Sequence, residues 1–332
     1  MKFLAALLFA FAFAATGHAQ LLPSFGGSRT GTTGYQFLKI VPDARSAAMG
    51  GAVTATVSDM AALYWNPAGI ARSDTQRWHM AASQTRYAFP AFLSFAGVAY
   101  KLNDETVLGV SLQTFATPEM DVTTEFQPFG TGQTFRGFDM AAGVTYAKIL
   151  TDNFAFGVTA KYIREQFAEI KSQNGAVDFG FRYDIGKANT RFAVGISNFG
   201  FNAEPSGRLV TETLDGKDTL VSFDKIAMPT VFRIGVAWDP LKTDFNRITV
   251  SGQLDHPTDN NEVYRLGAEY AWRETVYVRA GHAFGEDEPG PPAAGAGLRF
   301  KRNFAMLQLD YGYRHRERLG GMHHLTFQLA FL

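Results

Sequence analysis

The chain has no cysteine, no excess charge of either sign and, beyond its first twenty residues, no long apolar run. Among its 332 residues, 31 Lys+Arg stand against 31 Asp+Glu. The absence of cysteine excludes a disulfide framework, a thiolate metal site, a cysteine nucleophile and an N-terminal lipid-bearing cysteine. Balanced charge without basic runs argues against a nucleic-acid partner, which needs a positive stripe to neutralise phosphates. The nearest approach to an apolar span after Ala19 is Phe89 to Tyr100, which Pro90, Ser94 and Gly97 interrupt; a membrane helix needs about 20 apolar residues. Glycine (33) and phenylalanine (30) are plentiful instead, and the 46% of hydrophobic residues are spread thinly along the chain.

At the N-terminus, Lys2 precedes an apolar run from Phe3 to Ala15, followed by small residues at Gly17 and Ala19. This is the form of a secretory signal peptide over residues 1–19, cut after Ala19. An exported chain without membrane helices is either soluble or an outer-membrane barrel, whose strands announce themselves only by weak alternation.

After residue 75 the period is two almost everywhere. Val177, Phe179, Phe181, Tyr183 and Ile185 share one face; Ala176, Asp178, Gly180, Arg182 and Asp184 share the other. The same split runs through Phe154 to Tyr162, Tyr264 to Trp272, Ala305 to Tyr313 and Leu325 to Phe331. Successive strand side chains point to opposite faces, so each segment has one apolar wall and one wall of glycine and charge. The apolar faces end in Tyr162, Tyr264, Trp272, Tyr313 and Phe331, and amphipathic rings favour the boundary between hydrocarbon and water. A soluble ligand-binding sandwich is the alternative, but it has no reason to place aromatics this way.

Fourteen strands are expected: 76–85, 91–101, 105–116, 135–149, 153–166, 175–186, 189–199, 227–238, 246–255, 262–272, 275–284, 293–301, 303–314 and 322–332. Links after even strands are tight, as at Asn103-Asp104, Lys187-Ala188 and Arg273-Glu274. Those after odd strands are mostly longer, notably 116–134 and 200–226. Short turns on one rim and long loops on the other describe an antiparallel transmembrane barrel over 75–332, with outward loops and both termini in the periplasm. Lipid offers no hydrogen-bond partners, so the first and last strands must meet.

Residues 20–74 do not alternate. Small residues dominate; Asp43 and Ser58 or Asp59 can cap short helices, and Gly50-Gly51 can stop the first. The unit is expected to fill the barrel mouth as a partly helical plug. Its residues Phe37-Leu38, Ala44-Arg45, Met49-Gly50-Gly51-Ala52 and Ala62-Leu63-Tyr64-Trp65-Asn66-Pro67-Ala68-Gly69 resemble the N-terminal signature of PorV/PorQ-type outer-membrane proteins, relatives of the FadL long-chain fatty acid transporters. Pro42-Asp43-Ala44-Arg45 resembles the PorV form; the rest is common across the broader family. The resemblance implies a FadL-like all-β barrel of fourteen strands with an N-terminal plug, the architecture with which the count above was made. It also implies a part in type IX protein secretion, whose PorV-type members receive the C-terminal signal domain of cargo and pass it on for surface attachment. PorQ-type members sit in a related surface complex. The end of the chain resembles a barrel insertion signal, except that Phe331 is penultimate and Leu332 last.

Candidate chemistry is sparse. His323-His324 are neighbours on a strand and point apart, so no metal site is expected. Asp178, Arg182 and Asp184 share the lumen face, either lining a permeation path or, more in keeping with their spacing, forming structural ion pairs. Asp43 and Arg45 either recognise a carboxylate or tie the plug to an acidic wall. No nucleophile elbow or other catalytic set stands out, and neither enzyme activity nor a cofactor is expected. The plug motif to follow is Phe37, Asp43, Arg45, Gly50, Gly51, Trp65, Asn66, Pro67, Ala68 and Gly69. Phe126, Phe129, Phe199 and Phe201, assigned to the two long loops, are candidate anchors for cargo, translocon or surface-attachment proteins. The partner of the wall is outer-membrane lipid. Transport of hydrophobic small molecules is the alternative function, and it needs an apolar pocket beside the plug.

Overall fold

The computed structural model describes residues 31–331, apart from 88–89, 187–188, 214–215 and 303. The signal peptide and its cleavage point lie outside the described residues. Fourteen antiparallel strands close into one barrel. The first three are β1 (Trp78–Arg86), β2 (Phe92–Lys101) and β3 (Thr106–Ala116). A small pair, β4 (Met120–Asp121) and β5 (Thr134–Phe135), stands outside the wall in the next loop. The wall continues with β6 (Gly137–Ile149), β7 (Phe154–Phe167), β8 (Ile170–Ile185) and β9 (Thr190–Gly200). A second separate hairpin, β10 (Leu209–Thr213) with β11 (Gly216–Leu220), occupies the longest loop. The remaining wall strands are β12 (Val231–Lys242), β13 (Asn246–Pro257), β14 (Val263–Trp272), β15 (Val276–Phe284), β16 (Ala293–Lys301), β17 (Ala305–Arg316) and β18 (Gly320–Phe331).

Closure is made by β1 and β18, paired from Trp78–Phe331 to Arg86–His323. Alternation sets the faces: along β17, Leu307, Leu309, Tyr311 and Tyr313 are exposed while Gln308, Asp310 and Arg314 are buried. The ladder shifts register at two places. In β12 it shifts between Trp238 and Leu241, where Pro240 has no N–H to donate. Between β8 and β9 it shifts at Val177/Phe179; there Asn198, left-handed at φ 60°, donates its N–H to Asp178 Oδ1 at 2.7 Å.

The strand expectations differ from the structure mainly at the long-loop rim. β8 begins at Ile170 rather than 175, because the chain reverses at Ala168 (φ 52°) and keeps pairing. The last hairpin also extends further, with Arg316 opposite Gly320. Both long loops contain short strand pairs where the alternation was too brief to read.

Residues 34–72 run down the lumen. Gly34 donates its N–H to Ala227 O near the start of β12, at the long-loop rim, and Arg72 reaches Thr151 O in a turn of the opposite rim. The C-terminal strand ends at the short-turn rim, where both termini were expected; Thr33, the bridge partner of Ala227, stands at the other. Two helices form in this segment, α1 (Ala44–Ala48) and α2 (Ala62–Trp65). Asp43 caps α1 by accepting from Ser46 N at 2.8 Å, and Gly50 and Gly51 end it at φ 63° and 82°, a region that favours glycine. The cap expected at Ser58 or Asp59 falls short by two residues: Asp59 Oδ1 accepts from Ala61 N at 3.1 Å, while α2 itself starts from Ala61 without a side-chain cap.

Candidate functional site

The lumen wall is shaped to the segment inside it. A Cβ added at Gly180 would overlap Asn66 Oδ1, and one at Gly157 would stand 2.5 Å from Ala68 N. On the other side, a Cβ at Gly281 would be 2.5 Å from Gly50 N and one at Gly312 2.5 Å from Ala44 O. At Gly157, Gly281 and Gly312 backbone therefore lies directly on backbone, which only glycine permits. Asn66 is fully buried and fully used: its Nδ2 donates to Thr54 O and Phe181 O, its Oδ1 accepts from Ala68 N at 3.1 Å. Pro67 opens a 3-10 turn that runs to Arg72, where its missing N–H costs nothing. Gly69 sits so close to Val57 O and Ala62 that no side chain fits.

The plug has two unlike sides. Val57, Met60, Leu63, Trp65, Ala68 and Ile70 pack as one apolar cluster with Phe95, Ala99, Val107, Ala147 and Ala155 of β2, β3, β6 and β7. Phe37 joins a second cluster with Tyr35, Leu38, Ile163 and Met228. Toward β13–β17 the contacts are ionic. Arg45 Nε lies 3.0 Å from Glu269, which also accepts from Arg279 at 2.7 Å and Arg247 at 3.2 Å. Arg279 continues to Asp310 at 2.6 Å. Gln253 Oε1 accepts from both Val53 N and Thr54 N, and Arg265 donates to Gly50 O at 2.9 Å.

Asp43 joins the two sides. Its Oδ1 accepts from Trp65 Nε1 at 3.3 Å, and complete burial, with Asp59 nearby, pushes its carboxyl up to about 6. The Arg233 guanidinium lies 5.1 Å from the Trp65 ring centre. The three lumen charges also make ion pairs and hydrogen bonds: Asp178 meets Lys161 at 2.6 Å, Arg182 meets Asp184 at 3.0 Å and donates to Val57 O, and Arg72 reaches Asp184 at 3.3 Å.

Cavities remain at both ends of the plug. The outer one, about 270 Å³ at the long-loop rim, is lined by Trp65, Arg233, Arg265, Arg314, Met322 and His324 among others. The inner one, about 150 Å³ at the short-turn rim, is bordered by Arg45, Asp59, His79, Arg247, Glu269 and Arg299. His323 is exposed and His324 buried, on opposite faces. No group of three or more acidic or histidine ligands comes together among the described residues.

Phe126, Phe129 and Phe201 are exposed in the long loops, Phe129 completely and Phe201 to 84%. Phe199 is a correction to the loop assignment: it lies within β9, facing outward at the rim, where the expected strand 189–199 already ran. The residues missed by the sequence reading are Glu269, Arg279, Asp310 and Gln253. Alternation places each on the inner face, but only the closed register brings them to one level.

This arrangement, a short Asn-Pro-Ala-Gly plug cast into a fourteen-stranded wall, agrees with the family comparison. The model of the type IX secretion system protein PorV matches residues 25–258. The chain belongs to the PorV family. Among solved structures, this PorV-family barrel resembles the CymD monoaromatic hydrocarbon channel at a TM-score of 0.60 and 13% identity, over 88% of this chain and 98% of that one. It also resembles the Ralstonia pickettii toluene transporter TbuX (0.59, 11%, 87% and 98%) and the Pseudomonas putida toluene transporter TodX (0.59, 14%, 88% and 98%). At these identities the likeness is one of fold: a closed fourteen-stranded antiparallel barrel. A comparison with curated protein sequences finds no match. The family is one of type IX secretion.

Proposed function

We propose that this protein serves type IX secretion by docking cargo or partner proteins on its long-loop rim, which faces the cell exterior, while the plug keeps the lumen shut. The observation that carries the reading is the set of exposed aromatic side chains, Phe126, Phe129 and Phe201, standing above a lumen whose filling is held by backbone contact and buried ion pairs. Exposed aromatics on projecting loops are of the kind that anchors a protein partner. The wall strands close into one barrel, with β1 paired to β18. Residues 1–19 act as the signal peptide, 20–74 as the plug and 75–332 as the barrel. In this orientation the short-turn rim and the end of β18 face the periplasm.

Deleting the gene and measuring cargo in periplasm, surface and medium tests the reading. Cargo stranded in the periplasm, restored by the intact chain but not by one with serine at Phe126, Phe129 and Phe201, is the expected result. Normal surface delivery in the deletion strain refutes it. Uptake of hydrophobic small molecules is the second reading, favoured by the outer cavity beside the plug; lost growth on long-chain fatty acid with secretion intact would select it.

A further inference from the structure

The lipid-facing wall is bulky along β8, where Phe179, Phe181 and Tyr183 point out. Where β18, β1, β2 and β3 meet it is hollowed instead. The register sets Ala82 beside Ala96, between Phe327 of β18 and Leu112 of β3. This small pair leaves a groove of about 360 Å³, walled by Leu112, Leu325 and Phe327. Ser83 and Phe95 close its floor, their side chains turned inward to Pro42 O and to the apolar cluster of the plug. One step toward the long-loop rim, Gln84, Ser94 and Thr114 stand side by side on three neighbouring strands. Gln84 is exposed, and none of the three makes a side-chain hydrogen bond among the described residues. Hydrocarbon offers such groups no partner. A further step up, Arg86 lies between Phe92 and His323. It is exposed, with no carboxylate within ion-pair distance among the described residues, while His323 Nδ1 lies 2.7 Å from Tyr311 Oη. From Trp78 to Arg86, the ends of β1, a tilted strand climbs about 20 Å. Trp78 and Arg86 therefore mark the two edges of an apolar band about 25 Å tall.

Read down from the rim, the order is a free guanidinium, unpaired hydrogen-bonding groups and an apolar groove. A membrane lipid has the same order: anionic head, polar acyl linkages, hydrocarbon chain. We propose that this groove holds one phosphorylated glycolipid of the outer leaflet. Its phosphate rests on Arg86, whose fork matches phosphate oxygens, its acyl linkages meet Gln84, Ser94 and Thr114, and one chain lies over Ala82 and Ala96. Three polar groups spread over about 10 Å of wall suit a broad head with several linkages better than a single glycerol. The choice of leaflet rests on the orientation proposed above, with the long loops outside; the groove and its charge do not.

The test is native mass spectrometry of full-length protein, delipidated in mild detergent and titrated with diphosphorylated lipid A or with its dephosphorylated form. One molecule of the diphosphorylated lipid should bind, at least tenfold more tightly than the dephosphorylated one. Arg86→Gln and, separately, Ala96→Leu should each weaken it at least fivefold. Ala268→Leu, on the exposed face of β14, should leave it unchanged. Retention of the heat-dependent gel mobility shift shows that each variant is folded. Equal binding of the two lipids, or insensitivity to both groove substitutions, overturns the proposal. Phosphatidylglycerol displacing lipid A at equal concentration overturns the assignment to the glycolipid. A photo-crosslinker placed at Gln84 in cells that captures a protein rather than lipid overturns the assignment to lipid. Selective lipid binding together with normal cargo delivery in a deletion strain rejects the docking role alone; unselective binding with stranded cargo rejects the lipid site alone.

Discussion

Replacing Glu269 by glutamine should release the plug on one side while leaving the barrel standing. Glu269 is 2% exposed and serves three guanidiniums. After Glu269→Gln, Arg279 keeps Asp310 at 2.6 Å and Arg247 keeps Glu274 at 2.6 Å. Arg45 keeps no carboxylate within ion-pair distance among the described residues, so the loss falls on α1. Breaking a buried pair by removing one charge costs about 3–5 kcal/mol. Arg45 borders the inner cavity, where water softens the loss, so the lower figure of about 3 kcal/mol applies. At about 1.4 kcal/mol per decade this is roughly a hundredfold in the opening equilibrium. Amide hydrogen exchange of residues 44–53 in detergent micelles reads it directly. Exchange there should quicken about a hundredfold, while β2, β3 and β6 and the gel mobility shift remain as in the parent. The double variant Arg45→Met/Glu269→Gln should open no more than Arg45→Met alone. Exchange within about threefold of the parent would refute the claim that this acid clamps α1, and so would an equal loss of protection in every strand.

Further outcomes follow from the same contacts. Gly180→Val drives a side chain into Asn66 and Pro67; it should weaken plug retention by about 1–3 kcal/mol, seen as protease sensitivity of residues 53–72 with the barrel intact. Asn66→Ala leaves Thr54 O and Phe181 O without their donor and should cost about 1–3 kcal/mol by the same assay. Phe129→Ser and Phe201→Ser should change thermal stability by less than about 0.5 kcal/mol yet reduce partner capture in pull-downs from the native envelope. Asp43 gives a pH dependence: its carboxyl is raised from 3.8 to about 6 by burial and by Asp59. The folded plug therefore holds this proton more tightly than the unfolded chain. Its contribution is fullest below pH 4 and declines as pH rises through 6, by about 3 kcal/mol at 1.36 kcal/mol per pH unit. Asp43→Asn, which keeps the acceptor for Ser46 N, should flatten that part of the pH profile of residues 44–53; an unchanged slope would contradict it.

The wall was legible because burial on one side and hydrocarbon on the other impose a strict period of two, and one misplaced residue would turn every side chain around. Hence β6, β14 and β16 lie within two residues of expectation. The capping role of Asp43 and the stop at Gly50-Gly51 were equally legible, being local. What escaped were relations that depend on register across the barrel. Glu269 and Arg45 are 224 residues apart in sequence, and no local pattern couples them. The inward glycines were visible as small residues on a charged face, but not that Gly157, Gly180, Gly281 and Gly312 each mark a contact with a particular plug residue. Phe199 was counted with the long loop although the alternation already carried the expected strand to 199.

The two-sided plug also bears on how the lumen stays closed. Apolar packing against β2, β3, β6 and β7 holds the plug in place but sets its position loosely, since hydrophobic contact is non-directional. The guanidinium and carboxylate groups of β13–β17 add direction, because each pair is satisfied at one height and one rotation only. Such pairs contribute little net stability against well-packed apolar replacements. Their value here lies in register: they fix α1 at the level where Gly50 meets Gly281 and Ala44 meets Gly312. A plug held by packing alone would slide; one held by ions alone would hydrate and loosen from its two flanking cavities. Retaining both keeps the lumen filled at one level.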